Sequence, residues 1–557
     1  MLKLPQERKR LPDRIGLGVC VVATLLAVCL HFIYLTHAGA LWRDEAGGVQ
    51  LANLSGLGVT GRSAREWLPV FFFALVRCWS ALGLGASDFS LRILGFVIGL
   101  GLLGAMWLNA RLMGVRWPVI SLGLLAANVT VVRWGDSLRA YGCGALFILL
   151  TLGLVWRLVR KPGGASFLLA SLAAILSVQT LYPNAFLVLA ACLAGCAVCA
   201  RHRQWKTALL VLGVGLLAAA SLLPYVPVIN ATQDDRALHQ MGFSLDFVWA
   251  SLSSALGSGQ DWPLWVWFGL APLVFGVAWE ALLGRVHDKA AGSEDLPRFG
   301  ISAVLACTVL FYVFLRISGL PAEPWYFLPL MFFAAAALDA ALDNWFRRLG
   351  VWPPMVAAVI VCAMFPATLK LAKYRQTNVD LIAAELHWRA KPGDYIVVSP
   401  AYCGITFARY FKAPVTWTTL PPVNDHRCHR VDLMKANLSS KPLLHSVLDQ
   451  AARTLSSGHT LWIVGALSPP EPGESEPPDL PPAPAPGQPF GYAEGCVRGY
   501  GWERQMAHFL DTRPQAVNLI RVGAPTGVNP QEDLPLLMAT GWRGDPASAT
   551  MGGAASR

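Results

Sequence analysis

Charge is what this chain has least of. Asp, Glu, Lys and Arg make up 14% of its 557 residues, hydrophobic residues make up 55%, and the mean hydropathy is +0.47. An ordinary soluble domain carries about 25% charged residues, so that class is excluded and an integral membrane protein is expected. A nucleic-acid surface is excluded too, despite the formal net charge of +11. Lys and Arg fall in short clusters between apolar runs rather than along one stripe, as cytoplasmic loops do under the positive-inside rule. No Gly-rich fingerprint follows any strand-like run, which removes the reason to propose a dinucleotide site. Metal-ligand spacing is missing as well. His31, His37, His202 and His239 have no spacing partner and read as interfacial or packing residues, and Cys192 and Cys196 have no histidine beside them. The 12 cysteines form no disulfide framework, because nine of them lie in apolar segments as small packing residues. Only Cys403, Cys428 and Cys496 fall where a disulfide is chemically permitted, with Cys403–Cys428 the candidate pair.

Long apolar runs are abundant. The first, Ile15 to Thr36, is long enough for a bilayer core of ~30 Å, and Lys3, Arg8, Lys9, Arg10 and Arg14 before it hold the N-terminus in the cytoplasm. A cleavable signal peptide shares this plan, but its apolar region covers roughly 7–15 residues and is not followed by many further spans. Spans are expected near 15–37, 89–111, 117–133, 140–160, 165–181, 183–200, 207–225, 262–284, 299–318, 325–343 and 351–369. With this map the cytoplasmic loops carry Arg111 and Arg116; Arg157, Arg160 and Lys161; Arg201, Arg203 and Lys206; Arg285 and Lys289; Arg347 and Arg348. Trp67 to Leu84, interrupted by Arg77, would reverse every later loop if it crossed, and reads as a helix lying in the outer interface.

The expected fold is therefore a polytopic α-helical membrane protein of about 11 transmembrane helices over residues 1–369, with interfacial helices in the first outer loop at 44–84, followed by a C-terminal extracytoplasmic α/β domain at 370–557. In that second region polar residues return and apolar runs shorten to strand length. Helices are expected at Val379–Arg389, Ala401–Phe411, Leu443–Leu455 and Trp502–Leu510, and strands at Tyr395–Ser399, Val415–Thr419, Thr460–Val464 and Ala516–Val522. Residues 469–489, rich in Pro with Glu and Asp, read as an extended excursion, and the tail after about Gly541 as unstructured.

Ionisable residues gather at the outer ends of the spans. They are Arg43, Asp44, Glu45, Arg62, Arg65 and Glu66 in the first loop; Arg133, Asp136 and Arg139 after the third span; Asp234, Asp235, Arg236 and His239 in the 226–261 loop; and Arg316 and Glu323 about the end of the ninth. Moving a group from a lipid phosphate to a hydroxyl or amine needs a base for the acceptor's proton and a cation for the departing phosphate. Asp44 is the candidate base, because the chain fixes it at the interface beside an arginine. Alternatively, Asp44 and Glu45 are simply the N-terminal charges of a helix over Ala46–Leu54. Asp136 and Arg139, three apart, either pair with each other or serve a phosphate. Arginine's planar fork suits phosphate, without saying which arginine is used. A divalent ion is neither required nor excluded.

These residues resemble a family: the bacterial members of the GT-C superfamily, polytopic glycosyltransferases that use polyprenyl-phosphate sugars and are related to protein O-mannosyltransferases and lipid A aminoarabinose transferases. Trp42-Arg43-Asp44-Glu45-Ala46 is similar to the acidic motif after the family's first span, and Phe89-Ser90-Leu91-Arg92-Ile93 resembles its approach to the next span. Ser137-Leu138-Arg139-Ala140-Tyr141 resembles its Arg-x-Tyr, with Ser137 where Glu is usual and Asp136 one position earlier. Trp325-Tyr326-Phe327-Leu328-Pro329 resembles an outer-loop motif whose first position is basic; here it is Trp325, so Arg316, Arg139 or Arg43 would have to substitute. The likeness covers roughly residues 15–345.

The resemblance implies an inverting glycosyl transfer in a bacterial inner membrane, from a polyprenyl-phosphate sugar to a glycan, lipid or protein. It carries over to Asp44 as the catalytic carboxylate; the candidate site residues taken with it are Glu45 as a second carboxylate, Arg43, Arg139, Arg316 and Tyr326 at the donor phosphate, and Asp136, Tyr141, Glu323 and His239 elsewhere in the pocket. Two other readings stand beside it. One is a transporter of a lipid-linked saccharide, disfavoured because the centres of the spans are almost free of charge. The other is a non-catalytic scaffold with an external binding domain.

Overall fold

The computed structural model describes residues 6–54, 68–231, 243–257, 260–282, 295–319, 322–430, 432–433, 437, 443–468 and 492–544. His239, the Pro-rich excursion at 469–489 and the last 13 positions of the tail lie outside the described residues. The chain forms two compact units. A membrane unit takes in Met1–His37, Trp67–Ile229 and Gly242–Lys373; an α/β unit takes in Ala38–Glu66, Asn230–Met241 and Tyr374–Arg557. Residues 38–54, which follow the first span, fall in the same compact unit as the C-terminal segment.

Among the described residues of the membrane unit, nine helices are long and apolar enough to cross a bilayer. The Asp88–Met113 helix shows how sequence sets such limits. Ser87 and Ser90 form a reciprocal capping box, and Gly114 stops the helix at φ 76°. Two of the eleven expected spans differ. The 117–133 segment is two short helices, Val119–Leu125 and Val129–Gly135. Asn128 separates them: its side chain accepts from the Val131 amide at 3.1 Å and donates to the Ala255 and Leu256 carbonyls at 3.1 and 3.2 Å. Thr368 Oγ1 donates to the freed Ala127 carbonyl at 2.5 Å. Asp339, from the Leu328–Leu349 helix, accepts from the Ile120 and Ser121 amides at 2.8 and 3.1 Å and from the Ser121 hydroxyl at 2.5 Å. Backbone groups released by the break thus find partners, as an apolar medium requires. The second difference is Gly164–Val178, whose 15 residues rise about 22 Å, short of a ~30 Å core.

Phe71–Leu84 is also short, an α-helix to Trp79 ending in a π turn with Gly83 at φ 82°. Its 14 residues rise about 21 Å, too little to span. Small residues allow the helices to close on one another. A Cβ on Gly300 would fall 2.5 Å from the Ala341 amide nitrogen and 2.6 Å from the Ala337 oxygen, so the Ala-rich Leu328–Leu349 helix meets its neighbour almost backbone to backbone.

The α/β unit is built on five strands: β1 (Tyr395–Val398), β2 (Thr416–Thr419), β3 (Leu461–Val464), β4 (Ala516–Ile520) and β5 (Leu536–Thr540). Their order is β2-β1-β3-β5-β4, with β2, β1 and β3 parallel and β5 antiparallel to both neighbours. All four residues of β1 and of β3 are buried, as expected of strands covered on both faces. Their alternation divides the core. Tyr395, Val397, Leu461 and Ile463 pack with Leu444, Val447, Trp502 and Met506, while Ile396, Val398, Trp462 and Val464 pack with Ile382, Leu386, Phe407 and Phe411. Cys403 and Cys428 are buried free thiols, so the candidate disulfide is not formed. Every expected strand and helix of the unit is present; β5 was not foreseen.

Candidate functional site

The helix Arg43–Asn53 opens at Trp42, the N-cap, with Asp44 and Glu45 in its first turn, where the exposed amide ends favour negative charge. Its first turn is held from far along the chain. The Arg43 amide donates to Glu532 Oε2 at 2.9 Å, and the guanidinium donates to the Gln531 carbonyl at 2.9 Å. The guanidinium also lies 4.5 Å from the Tyr402 ring centroid and 4.8 Å from that of Trp42. Arg43 Nε is 3.6 Å from Asp44 Oδ1. One residue before the N-cap, the Leu41 amide donates to the Tyr410 hydroxyl at 2.7 Å.

Asp44 Oδ1 is 3.3 Å from His429 Nε2 and its side chain keeps 19% exposure, whereas Glu45 is wholly buried. Of the two candidate carboxylates, Asp44 is the one a ligand can reach. Glu532 is also fully buried and accepts from the Thr406 hydroxyl at 2.5 Å. Burial pushes its carboxyl up to about 7, against the opposing pull of the Arg43 charge and the hydrogen bonds. The Arg43 guanidinium is held above its ordinary value: burial works against the charge, and Asp44, Cys403 and Glu532 outweigh it. Tyr402 is pushed up to about 12, first by burial.

These groups stand at the carboxyl ends of parallel strands. Ser399, directly after β1, donates to Glu503 Oε1 at 3.4 Å, and Ser468, four residues past β3, donates to Glu503 Oε2 at 2.7 Å. The chain leaves β1 for β2 on one side and reaches β3 on the other. That point, where strand order reverses, is where open α/β sheets place ligands.

The membrane unit has its own polar cluster. Asp136 is buried and accepts from or donates to His31, Oδ1 to Nδ1, at 2.7 Å. Of the two readings left open for Asp136 and Arg139, neither includes this contact: the Asp136 carboxyl meets His31 of the first span. A Cβ on Gly99 would fall 1.9 Å from Asp136 Oδ1 and 2.8 Å from His31 Nδ1, and one on Gly95 would fall 1.9 Å from the Asp136 carbonyl. Arg92, one turn before Gly95 on the same helix, is buried, and so is Arg139, the N-cap of the Ala140–Arg160 helix. Tyr141 and Tyr326 rings lie 5.6 Å apart, and Trp134 and Trp325 4.3 Å apart. Trp325, in the position that is basic in the family motif, is thus an aromatic packing partner. Arg316 is exposed over the Phe243 ring at 5.5 Å, and Glu323 precedes the 3-10 turn Pro324–Phe327, its carbonyl accepting from the Tyr326 amide.

Of the residues singled out in the sequence, Arg43, Asp44 and Glu45 thus share one turn, while Asp136, Arg139, Tyr141 and Tyr326 lie in the membrane unit. Glu532 and His429 were missed. No local signal marks either, since each matters through a contact across hundreds of positions. Among the described residues, no three His, Cys, Asp or Glu side chains are grouped to hold a metal ion.

A helical membrane unit with an α/β unit, carrying a motif carboxylate just past the first span, defines a polytopic membrane protein of GT-C-like fold. Among solved structures it is similar to ArnT from Cupriavidus metallidurans bound to undecaprenyl phosphate, with a TM-score of 0.51 and 13% identity over 80% of this chain and 93% of that one. No protein-family model and no curated protein sequence matches the chain.

Proposed function

We propose that this protein is a glycosyltransferase of a bacterial inner membrane that moves a sugar from a polyprenyl-phosphate donor to an acceptor on the extracytoplasmic side. The observation that carries the reading is Asp44. It is a partly exposed carboxylate at a helix N-terminus, held by half-buried contacts, in a chain whose fold is similar to that of a protein solved with undecaprenyl phosphate.

In the reaction, Asp44 takes the proton of the acceptor hydroxyl or amine. The acceptor atom forms its bond to the anomeric carbon as the bond from that carbon to the phosphate oxygen breaks, inverting the configuration. The lipid phosphate leaves with the bonding electrons, its charge matched by arginine. Arg139 is the first choice for that role, with Arg316, Arg43 and Tyr326 as further candidates; Asp136, Tyr141 and Glu323 are candidates for contacts to the rest of the donor. Arg43 already donates one hydrogen bond to Gln531, so its share is the smaller. A phosphate is a fair leaving group, and one carboxylate suffices. The α/β unit stands outside the cytoplasm.

Purified protein in lipid vesicles with a radiolabelled pool of polyprenyl-phosphate sugars tests this. Label should leave the lipid with the wild type and not with Asp44→Asn. Binding of the lipid without release from either protein would instead favour a carrier of lipid-linked saccharide.

A further inference from the structure

The Arg43–Asp44 turn is not held by its own helix alone. Its anchor, the loop Gly527–Leu534, is itself over-determined. The Arg375 amide donates to the Gly527 carbonyl at 2.8 Å, and the Asn529 amide donates to the Arg375 carbonyl at 2.8 Å. Asn378 donates to Asp533 Oδ1 at 3.0 Å and to the Leu534 carbonyl at 2.9 Å, and accepts from the Leu534 amide at 3.0 Å. Within this frame Glu532 reaches a partner 489 positions earlier, the Arg43 amide. Its other oxygen is occupied by Thr406, from the helix Gly404–Tyr410 that packs on β1 and β2.

A helix start normally satisfies its free amides from its own N-cap side chain. Here the N-cap is Trp42, which offers no such bond, and a carboxylate from the far end of the chain replaces it. The bond fixes the residue immediately before Asp44. The guanidinium of the same residue is held on Tyr402 and the Gln531 carbonyl, so both ends of Arg43 are tied to the α/β unit.

We propose that Glu532 is a positioning residue for Asp44: by capping the Arg43 amide it fixes the turn that presents the base, which makes the C-terminal segment a working part of the active site. This rests on the reading of Asp44 as the base. It assigns the α/β unit a function that strand order and core packing do not require, since both are complete without residues 42–45.

The test uses the full chain in lipid, with two variants and two readouts. Hydrogen exchange over residues 42–46 reads the clamp without reference to activity, and release of lipid phosphate from the labelled donor pool reads the reaction. Glu532→Ala should lose protection at the Arg43 amide and lower kcat about tenfold to hundredfold, with donor KM nearly unchanged, because a misplacement of about 1 Å is enough for that loss. Glu532→Gln keeps an acceptor oxygen for Arg43 and an amide for Thr406, and should recover most of both. Lost protection with kcat intact would overturn the positioning role, as would unchanged protection in Glu532→Ala. A wild type that turns over no donor overturns the reading of function itself. The exchange arm then still decides whether Glu532 holds the Asp44 turn.

Discussion

The two polar clusters treat charge in opposite ways. In the membrane unit two buried arginines, Arg92 and Arg139, belong to segments around a single buried acid, Asp136, which is matched by His31. In the α/β unit acids dominate: Asp44 and Glu532 both meet Arg43, and Glu503 and Glu532 act with Arg43 on Tyr402. Cations suit an anion such as a lipid phosphate, and carboxylates suit proton removal or a hydroxyl-bearing ligand. One substitution in each cluster separates these roles. Asp44→Asn should cost the largest factor, about 10²–10⁴ in kcat, with lipid binding and folding retained. Turnover close to wild type would remove Asp44 as the base. If the proposed function holds, Arg139→Ala should instead weaken binding of the polyprenyl-phosphate donor about tenfold to hundredfold, the worth of a charge-assisted hydrogen bond. Unchanged lipid affinity would give Arg139 a packing role and erase the contrast.

The α/β cluster also responds to pH. Glu532 has its folded value raised from 4.5 to about 7, mainly by burial. The folded state therefore binds this proton more tightly than the unfolded state. The associated stability is fully present below pH 4.5 and is lost as pH rises through about 7, on the order of 3 kcal/mol at most. Thermal unfolding of the α/β unit should shift to lower temperature between pH 5 and pH 8, and Glu532→Gln should flatten that shift. A profile unchanged by the substitution would locate the titrating group elsewhere.

Much of both units is legible in the sequence, for different reasons. Spans such as Asp88–Met113 follow from apolar length and capping residues, both local. The break at Asn128 did not, because it depends on carbonyls offered by Ala255 and Leu256, and the sequence of 117–133 reads as one continuous apolar run. In the α/β unit β1 and β3 announce themselves by Ile, Val and Trp between turn residues. β5, Leu-Leu-Met-Ala-Thr, has little strand propensity of its own and is a strand because β3 and β4 flank it. The site divides along the same line. Asp44 was visible as a motif next to a span. The residues that hold it, Glu532 and His429, were not, since proximity in space across 489 and 385 positions leaves no trace in one sequence.

The smallest expected effect falls on the membrane unit alone. Gly99 lies against Asp136 and His31 so closely that an alanine Cβ would stand 1.9 Å from the carboxylate oxygen, and the 88–113 helix would have to move or the pair would open. Overpacking of this kind costs about 1–3 kcal/mol. If the Asp136–His31 pair fixes the turn that ends at Arg139, Gly99→Ala should lower thermal stability by that amount and weaken binding of the proposed polyprenyl-phosphate donor. Exchange at the Arg43 amide should stay at its wild-type rate. Gly104→Ala, at an open position on the same helix, is the control and should change neither. Weakened stability with lipid affinity intact would mean that the pair serves packing only. The phosphate would then have to be sought at the other candidates, among them Arg316, which is exposed and lies over the Phe243 ring.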